Sequence, residues 1–315
     1  MKVAVTGSSG LIGTALTANL RADGHQVIRL VRRAPRRAAG QGADEVRWDP
    51  RAADAGDPAL DGIDACVHLA GVGLGDHRWT PRYKAEIRAS RVLATRALAT
   101  ALAAARPLPK VFLTASAIGW YGDTGGAQVT EDTPAGTGFL SRVVHDWEAA
   151  TGPAAEAGIR VAHARSGLVL SADGGVLARL RGPARFGVLP RFGEGDQVMS
   201  WISLTDEIRA MRFLLDSESA RGPYNLTTPN PVTNAELTAA LHAALKRPDF
   251  RWLRVPQGVL RLSLGEMSSE LLTSASVLPK RLLEAGFEFE YPTIGAALTA
   301  ELGADPRVNV TASRL

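Results

Sequence analysis

Cysteine is almost missing from this chain: Cys66 is the single one in 315 residues. It lies in the apolar run Ala65–Leu69 and reads as a buried strand residue, so neither a disulfide framework nor a cysteine metal cluster is available. No apolar run reaches bilayer-spanning length. The first residues enter a strand directly, without the charged and then apolar pattern of a secretory leader. A cytoplasmic protein with no membrane partner is therefore expected, and the sequons at Asn225 and Asn309 are read as chance matches. Net charge is only +4, and the arginines are scattered. With no basic tail and no basic stripe interleaved with aromatics, nucleic acid is not an expected partner. No internal repeat is present. What remains is an ordinary globular composition, 45% hydrophobic and 22% charged, long enough for a large core plus a second lobe.

The opening segment carries the strongest positive signal. Lys2–Val5 reads as a short apolar strand, followed by Thr6-Gly7-Ser8-Ser9-Gly10-Leu11-Ile12-Gly13, an amphipathic helix to about Ala22, and a second strand, Gln26–Val31. Gly7 lets the chain turn out of the strand, Gly10 removes a side chain where backbone must approach a pyrophosphate, and Gly13 lets the helix pack close to the sheet. The N–H groups at the helix start then face the phosphates. Strand, turn, helix and second strand together supply the context that a glycine triplet alone lacks. One further absence follows. The second strand ends on Arg32 and Arg33 rather than on an acid that could accept bonds from ribose hydroxyls. A guanidinium suits a 2′-phosphate, so the expected cofactor is NADP(H), with one of the two arginines free to be a solvated charge.

Strands and helices alternate through the first two thirds: strands at Ala65–Leu69, Lys110–Ala115 and Arg160–Ala164, helices at Arg82–Ala105 and Phe139–Thr151. That alternation predicts an α/β fold with a doubly wound parallel Rossmann sheet, whose ligands sit at the carboxyl ends of strands, where Ser8, Gly71 and Ser116 would gather. After Leu170 the pattern loosens. Gly174–Gly195 is rich in Gly, Arg and Pro; Trp201–Leu204 and Tyr224–Leu226 read as short strands bracketing a helix over Asp206–Leu215. A helix over Thr233–Leu245 has a capping signal at Thr233 and Glu236. Expected boundaries are a nucleotide-binding domain over 1–226, with 171–200 contributing to a substrate lobe, a smaller, mainly helical C-terminal lobe over 227–302, and a loose tail over 303–315.

The chain resembles the extended short-chain dehydrogenase/reductase superfamily, in its NAD(P)-dependent epimerase/dehydratase-like branch. The resemblance rests on the glycine turn, on His68-Leu69-Ala70-Gly71, on Ser116 after the fourth core strand, on Tyr121-Gly122 and on Arg165-Ser166-Gly167-Leu168-Val169-Leu170. More narrowly it is similar to the atypical "epimerase family protein" subgroup. The stretches carrying that are Arg78-Trp79-Thr80, Glu86–Arg91, Ser116–Gly122, Asn225–Asn234, Leu264–Met267 and Leu278–Phe287, and the small C-terminal domain of unknown function accompanies it. The resemblance implies a cofactor site formed by Gly7, Ser8, Ser9, Gly10, Leu11, Ile12, Gly13, Arg32, Arg33, Leu69, Ala70, Gly71, Ala115, Arg165 and Gly167. Asp49 matches the acid that contacts adenine, although a turn before Pro50 also accounts for it. Superfamily members often form dimers, so the resemblance allows a homodimer.

The superfamily's chemistry uses a Tyr and a Lys one helical turn apart, the Lys lowering the Tyr pKa so that the phenol exchanges a proton while hydride moves. On Phe139–Thr151 both registers are apolar: Phe139 with Val143, or Leu140 with Val144. Phe139, Val143 and Trp147 read as a core stripe, and Ser141 with His145 as a solvated face. Other candidates must then carry the chemistry. Ser116 matches the hydroxyl that polarises a carbonyl, or caps its strand. Tyr121 is a substitute acid or a packing residue. Lys84 could supply a cation near the nicotinamide. Arg91 lies on the otherwise apolar stripe of the long helix, where an unpaired charge is costly. It binds a substrate carboxylate or phosphate, or else pairs with Glu86 or Asp123. Gln197, Trp201 and Ser203 match the segment that reaches over the substrate; Trp201 is equally a core residue. Two readings follow: an NADP(H)-dependent oxidoreductase or epimerase of an unidentified small polar substrate, anionic or neutral, or a catalytically degenerate NADPH-binding regulator acting through a protein partner.

Overall fold

A computed structural model describes residues 1–36, 44–50, 58–185, 189, 191–248 and 254–303. The expected tail beyond Gly303 and the sequon at Asn309 lie outside the described residues. A seven-stranded sheet organises the chain. Its labelled strands are β1 (Lys2–Thr6), β2 (Gln26–Val31), β3 (Glu45–Arg47), β4 (Ala65–His68) and β5 (Val111–Ala117). The sheet runs Gly222–Leu226, Arg160–Ser166, β5, β4, β1, β2, β3, and every pair from β5 to β3 is parallel. This is the doubly wound Rossmann sheet expected from the alternation. From β1 the chain winds outward through β2 to β3, then returns to the other side of β1 as β4, which creates a switch point between β1 and β4.

Helix α1 (Leu11–Ala22) begins after Gly10 with no side-chain cap, so its first N–H groups are left for a ligand. Helix α2 (Pro81–Ala104) starts as its sequence directs: Thr80 caps it by accepting from the Tyr83 N–H at 3.2 Å, and Pro81 occupies the first turn, where its missing N–H costs nothing. Helix α3 covers Phe139–Ala149. Among the elements with no counterpart in the sequence pattern, three show the reason. β3 has only three residues, too few to show a period. The strand Leu168–Ser171 merges with the run before it. The helix Gly175–Arg185 contains Gly182 and Pro183, which argue against helix; burial of Leu177 and Ala184 in a common core holds it together.

Contacts divide the chain into two compact units. The first comprises Met1–Trp120, Gly138–Arg165 and Ile208–Tyr224; the second comprises Tyr121–Thr137, Ser166–Glu207 and Asn225–Leu315. In the first unit, Ala4, Cys66, Phe112, Leu98, Leu102 and Ile159 share one core, so Cys66 is the buried strand residue expected of it, with its thiol pKa pushed up by burial. Arg160, buried in its strand, donates to the carbonyls of Leu214, Leu215 and Ala220 at 2.7–3.0 Å, satisfying a helix end that would otherwise be orphaned. In the second unit Trp201 is fully buried among Leu170, Leu177, Leu237 and Leu298. The capping box at Thr233 and Glu236 forms as its sequence signal predicts. Among the described residues no helix is long and apolar enough to cross a membrane.

The second unit also buries two neighbouring acids. Asp206 accepts from the backbone N–H groups of Glu290 and Tyr291 at 2.8 and 2.9 Å. Glu207 is fully buried, with a single hydrogen bond, from Ser166 Oγ to Oε1 at 2.6 Å; its Oε2 has no partner among the described residues. Burial pushes its carboxyl up to about 8. The folded state therefore holds a proton that the unfolded state releases near pH 4.5, and stability falls as pH rises from there toward 8. Glu207→Gln should remove that fall and leave the protein more stable at pH 8 by on the order of 4 kcal/mol, measured by urea unfolding at pH 5 and pH 8.

Candidate functional site

The carboxyl ends of β1 and β4 are locked together. Thr6 Oγ lies 2.6 Å from His68 Nδ1 and accepts from the Leu69 N–H at 3.2 Å. Burial lowers the His68 imidazole to about 4, so it is neutral at physiological pH. Gly7 follows with φ +64°, and a side chain there would lie 2.6 Å from the carbonyl group of Leu69. A Cβ at Gly13 would overlap the Gly7 carbonyl oxygen and come within 2.8 Å of Ser8 Cα. At Gly10, by contrast, a Cβ would meet within 4 Å, its chain neighbours aside, only that same oxygen among the described residues, at 3.4 Å. The first and third glycines are thus required by the protein's own backbone. The second leaves open space beside the uncapped helix start, which is the cradle a pyrophosphate needs. Ser8 and Gly13 are buried in this turn, Ser9 and Gly10 are exposed, and Leu11, Ile12, Leu69 and Ala70 are half-buried around it.

At the end of β2 the two arginines separate. Arg33 pairs with Glu45 at 2.7 Å and Arg29 pairs with the same carboxylate at 3.2 Å. The Arg36 N–H donates to its second oxygen at 2.9 Å. The Arg33 hydrogen bond, helped by that from Arg36, holds the Glu45 carboxyl down at about 2. Arg29 also donates through Nε to Ser8 Oγ at 3.0 Å, tying the cluster to the glycine turn. Arg32 is exposed and has no partner among the described residues. Asp49 lies half-buried just past β3. Arg29 and Glu45 were missed by sequence reasoning. A lone charge inside the apolar run Val27–Val31 was a usable signal for Arg29; Glu45 sits on the strand that showed no period.

Where the resemblance would put a Tyr and a Lys, α3 presents packing. The Phe139 ring meets Trp79 edge to face at 5.4 Å, and Lys84 Nζ lies 4.7 Å over it. Val143 is buried, and Trp147 donates to Thr95 Oγ at 2.9 Å. The stripe is core, as its spacing predicts. Ser141 departs from the solvated-face reading: it is buried and donates to the Gly119 carbonyl at 3.0 Å, while His145 is exposed and stacks on Trp120. Arg91 pairs with neither Glu86 nor Asp123 among the described residues. One of its N–H groups reaches the Ile87 carbonyl at 3.3 Å and its guanidinium lies 5.3 Å from the Trp147 ring centre.

Ser116, 5% exposed at the end of β5, donates to Glu148 Oε1 at 2.6 Å. Glu148 receives Arg165 in a two-point contact at 2.8 Å on each oxygen, and the Arg165 guanidinium stacks 3.9 Å over Trp120. Burial alone would raise the Glu148 carboxyl, but Arg165, His163 and Ser116 hold it below the usual range. The Ser116 proton is therefore committed to a carboxylate, which leaves the hydroxyl only its lone pairs, as an acceptor. Ala115 is half-buried beside it. Neither Glu148 nor Trp120 was singled out from the sequence, although a buried Arg165 requires an acid, and Glu148 follows the core stripe directly. Glu148→Ala would strand the Arg165 charge in the interior and should cost about 3 kcal/mol of stability, read from urea unfolding at pH 7.

The remaining expected site residues belong to the second unit. Tyr121 is buried and donates to Asn225 Oδ1 at 2.8 Å. Gln197 is buried and donates to the carbonyls of Phe192 and Leu271 at 3.3 and 3.0 Å. Trp201 donates to the Asn230 carbonyl at 3.0 Å, and Ser203 accepts from the Asp206 N–H at 3.0 Å. Gly167 packs so tightly that a Cβ would lie 2.7 Å from the Ser200 carbonyl oxygen.

Comparison with known proteins gives the family. The model of the NAD dependent epimerase/dehydratase family matches residues 3–227, and that of a domain of unknown function, DUF1731, matches residues 255–301. An epimerase family protein of Mycobacterium leprae is 46% identical over 94% of both chains. A chloroplastic epimerase family protein of Arabidopsis thaliana is 35% identical, over 95% of this chain and 86% of its own length. The crystal structure of the human epimerase family protein SDR39U1 with NADPH is similar at a TM-score of 0.88 and 32% identity, covering 97% of this chain and all of that one. The chain belongs to the NAD dependent epimerase/dehydratase family, in the branch that carries a DUF1731 domain.

Proposed function

We propose that this chain binds NADP(H) and acts as an oxidoreductase or epimerase on a small polar, anionic compound. The observation that carries the cofactor choice is Arg32: an exposed guanidinium without a partner among the described residues, at the end of β2. Glu45, an acid on the neighbouring strand, is held by Arg29, Arg33 and the Arg36 N–H. A carboxylate so engaged is a poor acceptor for ribose hydroxyls, whereas Arg32 suits a 2′-phosphate. The NADPH in the human relative's crystal structure supports the same choice.

The glycine turn and the start of α1 would hold the pyrophosphate, and Arg32 the 2′-phosphate. The cofactor, when bound, supplies or accepts hydride. Ser116 orients the substrate as a hydrogen-bond acceptor, because Glu148 takes its proton; it therefore favours a substrate hydroxyl over a carbonyl. A second reading, a cofactor-binding regulator without turnover, is favoured by one observation: Phe139, Trp79 and Lys84 pack together where the resemblance would put a Tyr and a Lys.

Calorimetry with NADPH and NADH tests the cofactor reading. NADPH should bind about 100-fold more tightly, and Arg32→Ala should weaken NADPH by about 10- to 100-fold while leaving NADH unchanged, as expected for one lost charge-assisted contact. Equal affinities for the two cofactors would overturn it. Turnover of NADPH or NADP⁺ on a panel of hydroxy and keto acids that disappears in Ser116→Ala supports the enzyme. Tight NADPH binding with no turnover above that variant supports the regulator.

A further inference from the structure

The strand-end segment after β4 is fastened to α2 side chain by side chain. Val72 donates to Ser90 Oγ at 3.3 Å, Tyr83 Oη donates to the Gly73 carbonyl, and Trp79 donates to the Leu74 carbonyl at 2.9 Å. Arg91 belongs to the same seam: a Cβ at Gly71 would lie 3.3 Å from its Cζ and 3.4 Å from Nη1. Gly71 is exposed, and the three atoms nearest to such a Cβ all belong to Arg91. The guanidinium is thus held on one side by the Ile87 carbonyl and the Trp147 ring, and on the other borders backbone that has no side chain to cover it.

What this cation lacks is a counter-charge. Among the described residues Arg91 makes no ion pair, and its one hydrogen bond goes to a backbone carbonyl. The group is half-buried, yet none of its nitrogens is a buried orphan, so its free N–H groups open to solvent. Desolvation acts against the charge, and no carboxylate compensates it. A cation partly removed from water without a partner is costly to keep. Simple structural use would be served by a neutral side chain packing on Trp147, or by an acid on the next turn. The surroundings instead leave a planar donor fork facing the carboxyl end of β4, one segment away from the glycine turn, since Gly7 packs on Leu69 and Gly71 packs on Arg91. Planar forks match carboxylates and phosphates.

We infer that Arg91 is an oxyanion subsite, taking either a phosphate oxygen of the bound cofactor or a carboxylate of a second ligand. The inference adds to the NADP(H) reading the chemical class of what occupies the nearby crevice. In either case the partner is an oxyanion, and the source is a matter for titration.

Three probes separate the outcomes: NADPH, 2′,5′-ADP (which carries the 2′-phosphate and the adenosine-side 5′-phosphate but lacks the nicotinamide-side half), and malonate as a plain dicarboxylate. If Arg91 holds a cofactor phosphate, Arg91→Met raises the Kd for NADPH at least tenfold; the Kd for 2′,5′-ADP rises with it if that phosphate is the adenosine-side one and stays unchanged if it is the nicotinamide-side one. If it holds a second ligand, NADPH binding stays within twofold, and the malonate binding seen with NADPH-loaded wild type is lost in the variant. Unchanged titrations with both NADPH and malonate would overturn the inference. Should Arg91→Met fail to fold, Arg91→Lys carries the test: it keeps the charge but not the fork, and either titration should weaken rather than vanish. If wild type does not bind NADPH at all, the cofactor reading fails on its own; malonate titration of the free protein, wild type against variant, still decides the role of Arg91.

Discussion

The first unit depends on one close approach of backbone to backbone, where Gly13 of α1 lies against Gly7 and Ser8. No side chain larger than hydrogen fits there. That contact draws the start of α1 down onto the end of β1, which directs the uncapped N–H groups to the switch point between β1 and β4. Thr6 and His68 hold those two strand ends together, and burial keeps the imidazole neutral, so the lock carries no charge into the core. The open space beside Gly10 is the consequence: a place where backbone, helix dipole and absence of side chains all suit a phosphate.

Charge around that place is sorted by pairing. Five arginines bear on it, Arg29, Arg33, Arg165, Arg32 and Arg91, and the first three have carboxylates. Glu45 neutralises two of them and Glu148 the third. Arg32 and Arg91 are left over, one exposed and one half-buried, with no ion pair among the described residues. The proposed 2′-phosphate contact and the proposed oxyanion subsite are these two leftovers. The same pairing alters the expected chemistry: with Glu148 taking the Ser116 proton, the serine presents lone pairs where a carbonyl-polarising donor was expected.

Family resemblance and local chemistry made the fold and much of the cofactor side legible. The glycines could be assigned roles because each role is local: a positive φ at Gly7, a backbone contact at Gly13, an opening at Gly10. The apolar stripe of Phe139, Val143 and Trp147 was equally legible, because helical spacing alone puts those residues on one face. The pairing of Glu45 and Glu148 was not, since each acid meets its arginine across sequence separations that no periodicity encodes. Ser141 illustrates the same limit. Its spacing places it with His145, but the Gly119 carbonyl, brought over it by the turn after β5, buries it.

Sequence by itself determined the parts whose physics is confined to a few neighbouring residues: the glycine turn, the capped starts of α2 and of the helix after Thr233, the alternation that yields a parallel sheet, and the missing Tyr and Lys. Only the tertiary structure decided which charges are free. A side chain's partner depends on what the sheet order brings alongside it, and β3, the strand carrying Glu45, is too short to announce itself. Arg91 could be seen in the sequence as a charge on a buried stripe. That it borders the bare backbone of Gly71, stacked on Trp147 and without an acid among the described residues, follows from packing alone.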